Sequence, residues 1–287
     1  MNHTLWQATC SFGHPGQSKT DEELTEHLVK SYATGSKAVR GVKQLWGDSL
    51  KPHTSFESKV RKYHANMTFE GIGDIRLCAA GEKATWLQFM QDMAASHTDL
   101  TRDWLNKYDI WLEQERIDKN GAFRIEDYPT RESLASKFRF TFAILPMPEP
   151  NQFITDQLTD ELGKRLAADY EARLQNTTAQ ISRQVLNTLL GLINDTAESL
   201  ANDGPIVDSE NRKGPFAKLH EYLDRIPALN ITNDPAIARI AEQARTHLTY
   251  TSEELRKNQT SRQLAAAHAQ GIALQFGQTT RKIAKAA

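Results

Sequence analysis

Two stretches in the first half of the chain alternate between apolar and polar side chains. Along residues 5–12 the apolar side chains occupy the even-numbered positions from Trp6 to Phe12, and along residues 138–144 phenylalanine occupies every second position up to 142. A period of two places the apolar side chains on one face of an extended strand. The sequence therefore predicts two half-buried strands of a small antiparallel sheet, with weaker strand candidates at residues 67–78 and 122–126.

Helices are predicted between these strands. Thr20 and Glu23 have the spacing of a capping box, in which two side chains satisfy exposed amides at a helix start, so we expect a helix from there to about Lys30. Between residues 83 and 115, tryptophan, phenylalanine, methionine and leucine recur at helical spacing. A stripe of this kind is typical of core packing, and we interpret it in that way.

One long helical pattern dominates the second half of the chain. From residue 155 to 201, leucine, isoleucine and valine recur at helical spacing, which corresponds to a helix of about 70 Å at 1.5 Å per residue. Such a helix either bends, near Thr177 and Thr178 or at Gly191, or packs against the same helix of another subunit.

Shorter elements complete the second half. Residues 202–215 contain two glycine–proline pairs among charged residues, which predicts a loop. Two helices are predicted at residues 216–225 and 235–248, and an alanine-rich helix begins near Ser252. The predicted class is therefore α+β, with an α+β domain at residues 1–150 and a helical domain at residues 151–287.

The size and composition of the chain fit a folded protein. With 287 residues and 39% hydrophobic content, it can bury a sizeable core. No apolar run approaches the roughly 20 residues that a membrane-spanning helix needs, and residues 1–12 lack the features of a signal peptide. We therefore expect a cytoplasmic protein without a membrane partner, and we expect Cys10 and Cys78 to be buried thiols of a reducing compartment.

The formal net charge of −1 conceals an uneven distribution of charge along the chain. Residues 30–64 contain eight lysine and arginine residues against two acidic ones, and residues 255–287 contain six against none. Each segment therefore carries a net charge of +6. Local charge governs the attraction of phosphate groups, because potentials are screened within a Debye length of roughly 8 Å at physiological salt.

The nearest match to a catalytic motif is the stretch of residues 13–20, which follows a predicted strand and precedes a predicted helix. A phosphate-binding loop needs glycine directly before its lysine, but Ser18 precedes Lys19, and the acidic residues that follow would repel phosphate. The nine histidines and two cysteines show no metal-ligand spacing. Apart from this weak nucleotide-binding alternative, the sequence predicts no catalytic residue, metal or cofactor, and we expect a binding protein and not an enzyme.

Aromatic residues are interleaved with the cations of residues 30–64. Lysine and arginine neutralise phosphates, and each base stacked on an aromatic ring contributes roughly 1 to 3 kcal/mol. This mixture favours binding of single-stranded DNA, although a solvated helix with a few core aromatics would show the same pattern. Trp46, with glycine beside it and lysines on either side, is the predicted stacking platform. The predicted DNA-binding residues are Lys30, Lys37, Arg40, Lys43, Trp46, Lys51, Lys59, Arg61, Lys62 and Tyr63, with Arg281, Lys282 and Lys285 in a basic C-terminal arm.

Three segments carry a resemblance to a known family. They are the strand-to-loop opening of residues 5–20, the helix start Asp21-Glu22-Glu23-Leu24, and the strand Lys137-Phe138-Arg139-Phe140-Thr141-Phe142. In these segments, and in its length and layout, the chain resembles the Drc-like family of single-stranded-DNA-binding RNA polymerase cofactors of bacteriophages. The resemblance implies a preference for single-stranded over double-stranded DNA, a fold unlike the oligonucleotide-binding barrel, and support of a phage-encoded RNA polymerase in the host cytoplasm.

Two functions follow as hypotheses. In the first, the protein coats single-stranded DNA without sequence preference, as a homo-oligomer, and presents it to RNA polymerase. In the second, the protein is a helical scaffold or adaptor whose long second half pairs with itself or with an AAA+ ATPase, a class of protein often encoded beside members of the resembled family. In that case the basic segments are only solvated surface.

Overall fold

The structure is a computed structural model of the whole chain, and it describes residues 5–32, 35, 38–71, 75–149, 160–202, 206–209 and 212–285. The α+β prediction is confirmed, since 71% of the structure is helical and its main sheet is a small antiparallel sheet of four strands. No closed barrel forms in this part of the chain. Its helices also include none with the length and apolar character that crossing a membrane requires.

The elements follow one another in an order that mixes strands with helices in the first half and is mainly helical in the second. The strands are β1 (Leu5–Gly13), β2 (Ser18–Asp21), β3 (Gly41–Gln44), β4 (Phe69–Glu70), β5 (Arg76–Ala79), β6 (Arg139–Pro146), β7 (Asp208–Ser209) and β8 (Arg212–Lys213). The helices are α1 (Glu22–Tyr32), α2 (Lys51–Met67), α3 (Lys83–Asn106), α4 (Tyr108–Lys119), α5 (Arg131–Ala135), α6 (Asp160–Ala201), α7 (Pro215–Leu229), α8 (Pro235–His247), α9 (Ser252–Lys257) and α10 (Gln259–Lys285).

The main sheet contains both strands that the alternating pattern predicts. Its strand order is β4-β5-β1-β6, so β1 and β6 are neighbours. In β6 the phenylalanine side chains are half-buried and the residues between them are exposed, as a period of two requires. The weaker candidate at residues 67–78 contains β4 and β5, but the candidate at 122–126 is wrong, because Ile125–Asp127 forms a short 3₁₀ turn.

The start of α1 differs from the predicted capping box. Thr20 lies in β2, and the helix is capped instead by Asp21, whose carboxylate accepts a hydrogen bond from the Leu24 amide at 3.0 Å. A carboxylate at this position satisfies an exposed amide and also interacts favourably with the positive end of the helix dipole. The helix therefore begins at Glu22, close to the expected position but with a different cap.

The chain divides into two compact units, and they differ from the two consecutive domains predicted at 1–150 and 151–287. One unit, here called the helical unit, comprises Met1–Gln7, Phe69–Lys83 and Leu145–Ala287, and the other, the mixed unit, comprises Ala8–Thr68 and Ala84–Ile144. The correction has a physical cause. Leu5 of β1, Phe69 of β4, and Leu77 and Ala79 of β5 are buried in the same core as side chains of α6 to α10.

The helical unit is built around α6, which runs for 42 residues, or about 63 Å. The helix continues through Gly191 and through Thr177 and Thr178, whose hydroxyls donate to carbonyls four residues earlier. The chain itself covers much of this helix, because α7, α8 and α10 pack against it and bury Ile181, Leu189 and other side chains. The predicted start at residue 155 lies outside the described residues.

The other predicted helices of this unit are present as α7 and α8. The alanine-rich helix expected from Ser252 is divided into α9 and α10, because Asn258 accepts hydrogen bonds from the amides of Thr260 and Ser261 and caps a new helix. The predicted loop at 202–215 contains the short β7–β8 hairpin.

The mixed unit has an aromatic core. The expected core role of the tryptophan-rich stripe is confirmed for Trp86, Met90 and Trp104, which are 4% exposed or less. Trp86 donates its indole N–H to His64 Nδ1 at 3.0 Å. Neither Cys10 of this unit nor Cys78 of the helical unit forms a disulfide; Cys78 is buried, as predicted, and burial raises its pKa to about 12, whereas Cys10 is only half-buried.

His53 is a buried polar residue in this core. It is 1% exposed, its ring lies 4.6 Å from that of Phe138, and neither ring nitrogen has a hydrogen-bond partner in the described part of the chain. Burial lowers the pKa of His53 to about 4, and the positive charges that His97 and His14 can carry lower it further. His53 is therefore neutral in the folded protein at neutral pH.

This burial predicts a loss of stability in mild acid. The folded pKa of about 4 lies below the ordinary value of 6.5, so the unfolded chain takes up the proton first as the pH falls. The unfolding free energy is therefore highest above pH 6.5 and decreases as the pH falls towards 4. We expect His53 to lower it by about 2 kcal/mol between pH 7 and pH 5. Urea unfolding of wild type and His53→Phe at both pH values measures it. An equal pH dependence of stability in the two proteins would show that His53 does not cause the loss.

Candidate functional site

The exposed face of α2 brings together three of the predicted DNA-binding residues. Pro52 opens the helix, where its missing N–H costs nothing, and Val60 is buried on the inner side. Lys51, Lys59 and Lys62 are exposed. At 3.6 residues per turn Lys51 and Lys62 lie on the side of the helix opposite Val60 and Lys59 lies beside them, so the three positions fall within an arc of about 80°. The three lysines therefore form one basic stripe, here called the α2 face.

The cations of the α2 face differ in their availability. Within the described ranges, the structure gives Lys59 and Lys62 no ion-pair partner. Lys51 lies 2.7 Å from Asp48, but both side chains are mostly exposed, and pairs of this kind are weak and screened by salt. From Lys51 to Lys62 the helix rises about 16 Å, which is long enough to contact more than one phosphate of a single strand.

Arg61 flanks the α2 face and is used mainly within the protein. Its guanidinium lies 4.9 Å from the ring centroid of Phe12 and pairs with Glu57, which also forms a hydrogen bond with His14. Burial acts to raise the pKa of Glu57, but the hydrogen bonds from His14 and Arg61 outweigh it, and the pKa lies below its ordinary value. Arg61 therefore contributes less free charge to the face than its sequence position suggests.

Tyr63 provides an aromatic surface next to these lysines. Its ring stacks on Phe89 with 3.5 Å between the centroids and 15° between the planes, and both side chains are half-buried. Partly exposed stacked rings of this kind can accept a base on a remaining face. Tyr63 thus stays in the candidate site, although part of its surface is already used.

Lys43 was predicted to bind DNA, but the structure removes it from the site. Its ammonium lies 2.7 Å from Asp127 and 3.3 Å from Asp21, and its side chain is only 9% exposed. Lys19 binds the same Asp127 at 2.8 Å. The hydrogen bond to Asp127 raises the pKa of Lys43 above its ordinary value in spite of burial. The β2–β3 pairing, in which Lys19 faces Lys43, holds these charges together, so Lys43 neutralises internal carboxylates and is not available to DNA.

Trp46 is a second correction, because the predicted stacking platform is 1% exposed. Its ring packs edge-on against Trp104 and Tyr128, with centroids 5.2 and 5.0 Å away. A base cannot stack on a ring whose faces and edges are occupied by other side chains. Trp46 therefore belongs to the core of the mixed unit.

The remaining predicted residues lie on other elements. Lys30 is on α1 and lies 3.8 Å from Glu26, and Arg40 is exposed just before β3. Lys37 lies outside the described residues. The backbone of residues 281–285 is helical and forms the end of α10, so the predicted basic C-terminal arm continues this helix. The side chains of Arg281, Lys282 and Lys285 lie outside the described part, and α10 belongs to the helical unit, whereas α2 belongs to the mixed unit.

The weak nucleotide-binding alternative loses its geometric basis. Residues Ser18–Asp21 form β2, in register with Gly41–Gln44 of β3. A phosphate-binding loop leaves successive amides unpaired so that they can surround a phosphate. Here strand pairing uses the backbone, and Lys19 is held by Asp127.

The sequence patterns missed a groove in the mixed unit. It has a volume of about 700 Å³ and is lined by aromatic and acidic side chains of three segments: the turn at Trp46, the end of α3, and α4. Trp104 and Trp111 were predicted only as core residues. No local pattern marks a groove of this kind, because its walls come from positions far apart in sequence.

Comparisons with known proteins add no family to these observations. Scans against protein-family models, curated proteins and solved structures found no match to this chain. The case for function therefore depends on the residues and on their geometry.

The Lys43 cluster predicts a stability effect without a binding effect. Lys43→Ala leaves the carboxylates of Asp21 and Asp127 close together, with Lys19 still paired to Asp127, and we expect a loss on the order of 2 kcal/mol in unfolding free energy. Urea unfolding measures the loss, with Lys59→Ala as a control that should change it by less than about 0.5 kcal/mol. Adding Asp127→Asn should recover part of the loss. Equal stability of Lys43→Ala and wild type would show that the pairing contributes nothing.

Proposed function

We propose that the protein binds single-stranded DNA without sequence preference through the α2 face, and that it acts in phage transcription as a cofactor of RNA polymerase. The observation that carries the DNA-binding part is the pair Lys59 and Lys62, exposed on one helix face with no internal carboxylate bound to them in the described residues. Lys51 extends the stripe, and the Tyr63–Phe89 stack borders it.

The charge balance of α2 supports a polyanion as the partner. Glu57 is the only acidic residue of the helix, and it is occupied by His14 and Arg61. Phosphates approaching the exposed side therefore meet lysines without a competing carboxylate on the same helix. Contacts of this kind are made to the DNA backbone, so they carry no sequence information.

The partner polymerase and the phage setting rest on the resemblance to the Drc-like family. Two of the three segments that carry it correspond to β1 and β6, which are adjacent in the main sheet. A single strand held along a helix by backbone contacts leaves its bases accessible, as a protein that presents a template must do.

Removing the two unpaired lysines tests the DNA-binding proposal. In Lys59→Ala/Lys62→Ala we expect affinity for all single-stranded oligonucleotides to fall by a similar factor. The slope of log affinity against log salt should become shallower by about 1.4, since each phosphate contact on a single strand contributes about 0.7. Fluorescence anisotropy with labelled oligonucleotides over a salt series measures both quantities.

A matched control removes two positive charges from a surface outside the α2 face. Lys218→Ala/Arg239→Ala removes two exposed cations of the helical unit that have no ion-pair partner in the described residues, and it should leave the affinity and the slope unchanged. If both double variants weaken binding equally, only the total charge matters and the α2 face is not the site. A salt-independent affinity of the wild type would reject DNA binding through phosphates.

A second candidate function, self-association as a helical scaffold, has one observation in its favour. Leu162 and Leu166 lie one turn apart on α6 and are 44% and 43% exposed. Two leucines at this spacing form a short apolar ridge of the kind that pairs helices. The same face could join two copies of a DNA-binding protein, so this function and the first one are compatible.

The apolar ridge predicts a change in oligomer mass. If it mediates pairing, Leu162→Gln/Leu166→Gln should lower the mass measured by light scattering to that of the 32.4 kDa monomer. The control Leu264→Gln/Leu274→Gln changes two exposed leucines of α10 and should keep the mass of the wild type. A wild-type protein that is already a monomer at high concentration would exclude this function.

A further inference from the structure

The groove of the mixed unit has the dimensions of a small-molecule site. Its volume of about 700 Å³ lies within the roughly 300–1,000 Å³ that such sites occupy in proteins. It lies against the turn that follows β3 and against the α3 and α4 helices, all of which belong to the same compact unit. Its walls are therefore fixed by the packing of one core.

Three indole rings border the groove, but Trp46 and Trp104 are 1% and 4% exposed and belong to the core beneath it, whereas Trp111 is half-buried. Trp46 and Trp104 meet edge-on at 5.2 Å, and Trp111 lies one turn into α4. The indole N–H groups of Trp46 and Trp111 are buried and have no acceptor in the described part of the chain. A buried donor without a partner costs about 1–3 kcal/mol, so the packing of these indoles is maintained at the expense of two unsatisfied N–H groups.

The backbone at this wall is also unusual. Trp46 has a φ of 67° and Gly47 a φ of 42°. A bulky residue in the left-handed region is strained, and such strain persists only where the surrounding packing enforces it. Here the packing of the Trp46 ring against Trp104 and Tyr128 enforces the turn that opens the groove.

Charges of both signs border the indoles. Asp103 and Asp118 are exposed at the groove, and so is Lys107. Within the described ranges, Asp103 and Lys107 have no ion-pair partner, and Asp118 accepts a hydrogen bond from Gln114 at 2.8 Å. Glu115 is different, because Tyr128 and Lys119 already occupy its buried carboxylate. The exposed carboxylates of the lining are therefore those of Asp103 and Asp118, together with that of Asp48, which pairs weakly with Lys51.

We propose that this groove binds a free basic amino acid of the arginine type. A guanidinium is flat and weakly hydrated, so it can stack on the half-buried indole of Trp111 and pair with carboxylates at the same time. Asp103 and Asp118 supply the carboxylates, and Lys107 is the cation that meets the α-carboxylate of the ligand. A nucleic-acid strand does not fit here, because the same carboxylates repel phosphates.

The experiment compares two ligands of nearly the same shape. L-arginine and L-citrulline differ in that the guanidinium of arginine is replaced by a neutral ureido group. Isothermal titration of the full-length protein should show saturable binding of L-arginine and binding of L-citrulline that is at least tenfold weaker. Tryptophan fluorescence should respond to L-arginine, because three of the five tryptophans line the groove.

Variants then locate the site. Asp103→Asn/Asp118→Asn should weaken L-arginine at least tenfold, and Lys107→Gln should weaken it by a smaller factor. The control Asp92→Asn removes an exposed carboxylate of the same α3 helix outside the groove and should have no effect. These are surface substitutions, and far-ultraviolet circular dichroism with a melting curve confirms that each variant is folded.

Several results would overturn the proposal. They are the lack of saturable L-arginine binding, equal affinity for L-citrulline, and unchanged affinity in the folded Asp103→Asn/Asp118→Asn variant. A blocked N-acetyl-arginine amide that binds more tightly than free L-arginine would also overturn it, because the groove would then serve an arginine within a partner protein.

Discussion

A cation can neutralise an external phosphate only if the protein does not already use it to neutralise a carboxylate. This competition decides which residues of the basic segment remain available. Lys43 lies between Asp21 and Asp127 and is almost fully buried, whereas Lys59 and Lys62 face solvent on α2. The net charge of a segment counts these residues equally, but their potentials at the surface differ, because a paired and desolvated charge is largely cancelled within a few ångströms.

The same competition applies to aromatic rings. A tryptophan can stack on a base or pack in a core, and its neighbours in sequence do not determine which of the two it does. Trp46 has a glycine and lysines around it, which is typical of an exposed ring, yet Trp104 and Tyr128 enclose it from distant parts of the chain. Tyr63 differs from Trp46, because Phe89 stacks on its ring and the side chain is still only half-buried.

The parts of the fold that the sequence predicts are those with a local pattern. Alternation predicted β1 and β6, and helical spacing predicted α6, because each of these patterns repeats over several residues of a single element. The polar strands β2 and β3 have no such pattern and exist because they pair with each other, as in the register of Lys19 with Lys43. The division into units was missed for a similar reason, since the burial of Leu5, Phe69 and Leu77 beside α6 depends on contacts between distant segments.

The candidate site, like the fold, was predictable from the sequence only where a local pattern marks it. Helical spacing is enough to place Lys51, Lys59 and Lys62 on one face, but only the structure shows that Lys43 and Trp46 are removed from it and that Arg61 is shared with Glu57. The acidic groove also sets a limit to the path of a bound strand. Asp48 and Pro52 line this groove, and Lys51 beside them is paired with Asp48. Phosphates are therefore attracted less strongly by Lys51 at the start of α2 than by Lys59 and Lys62, so the main contacts of the strand should lie along the later turns of the helix, beside the Tyr63–Phe89 stack.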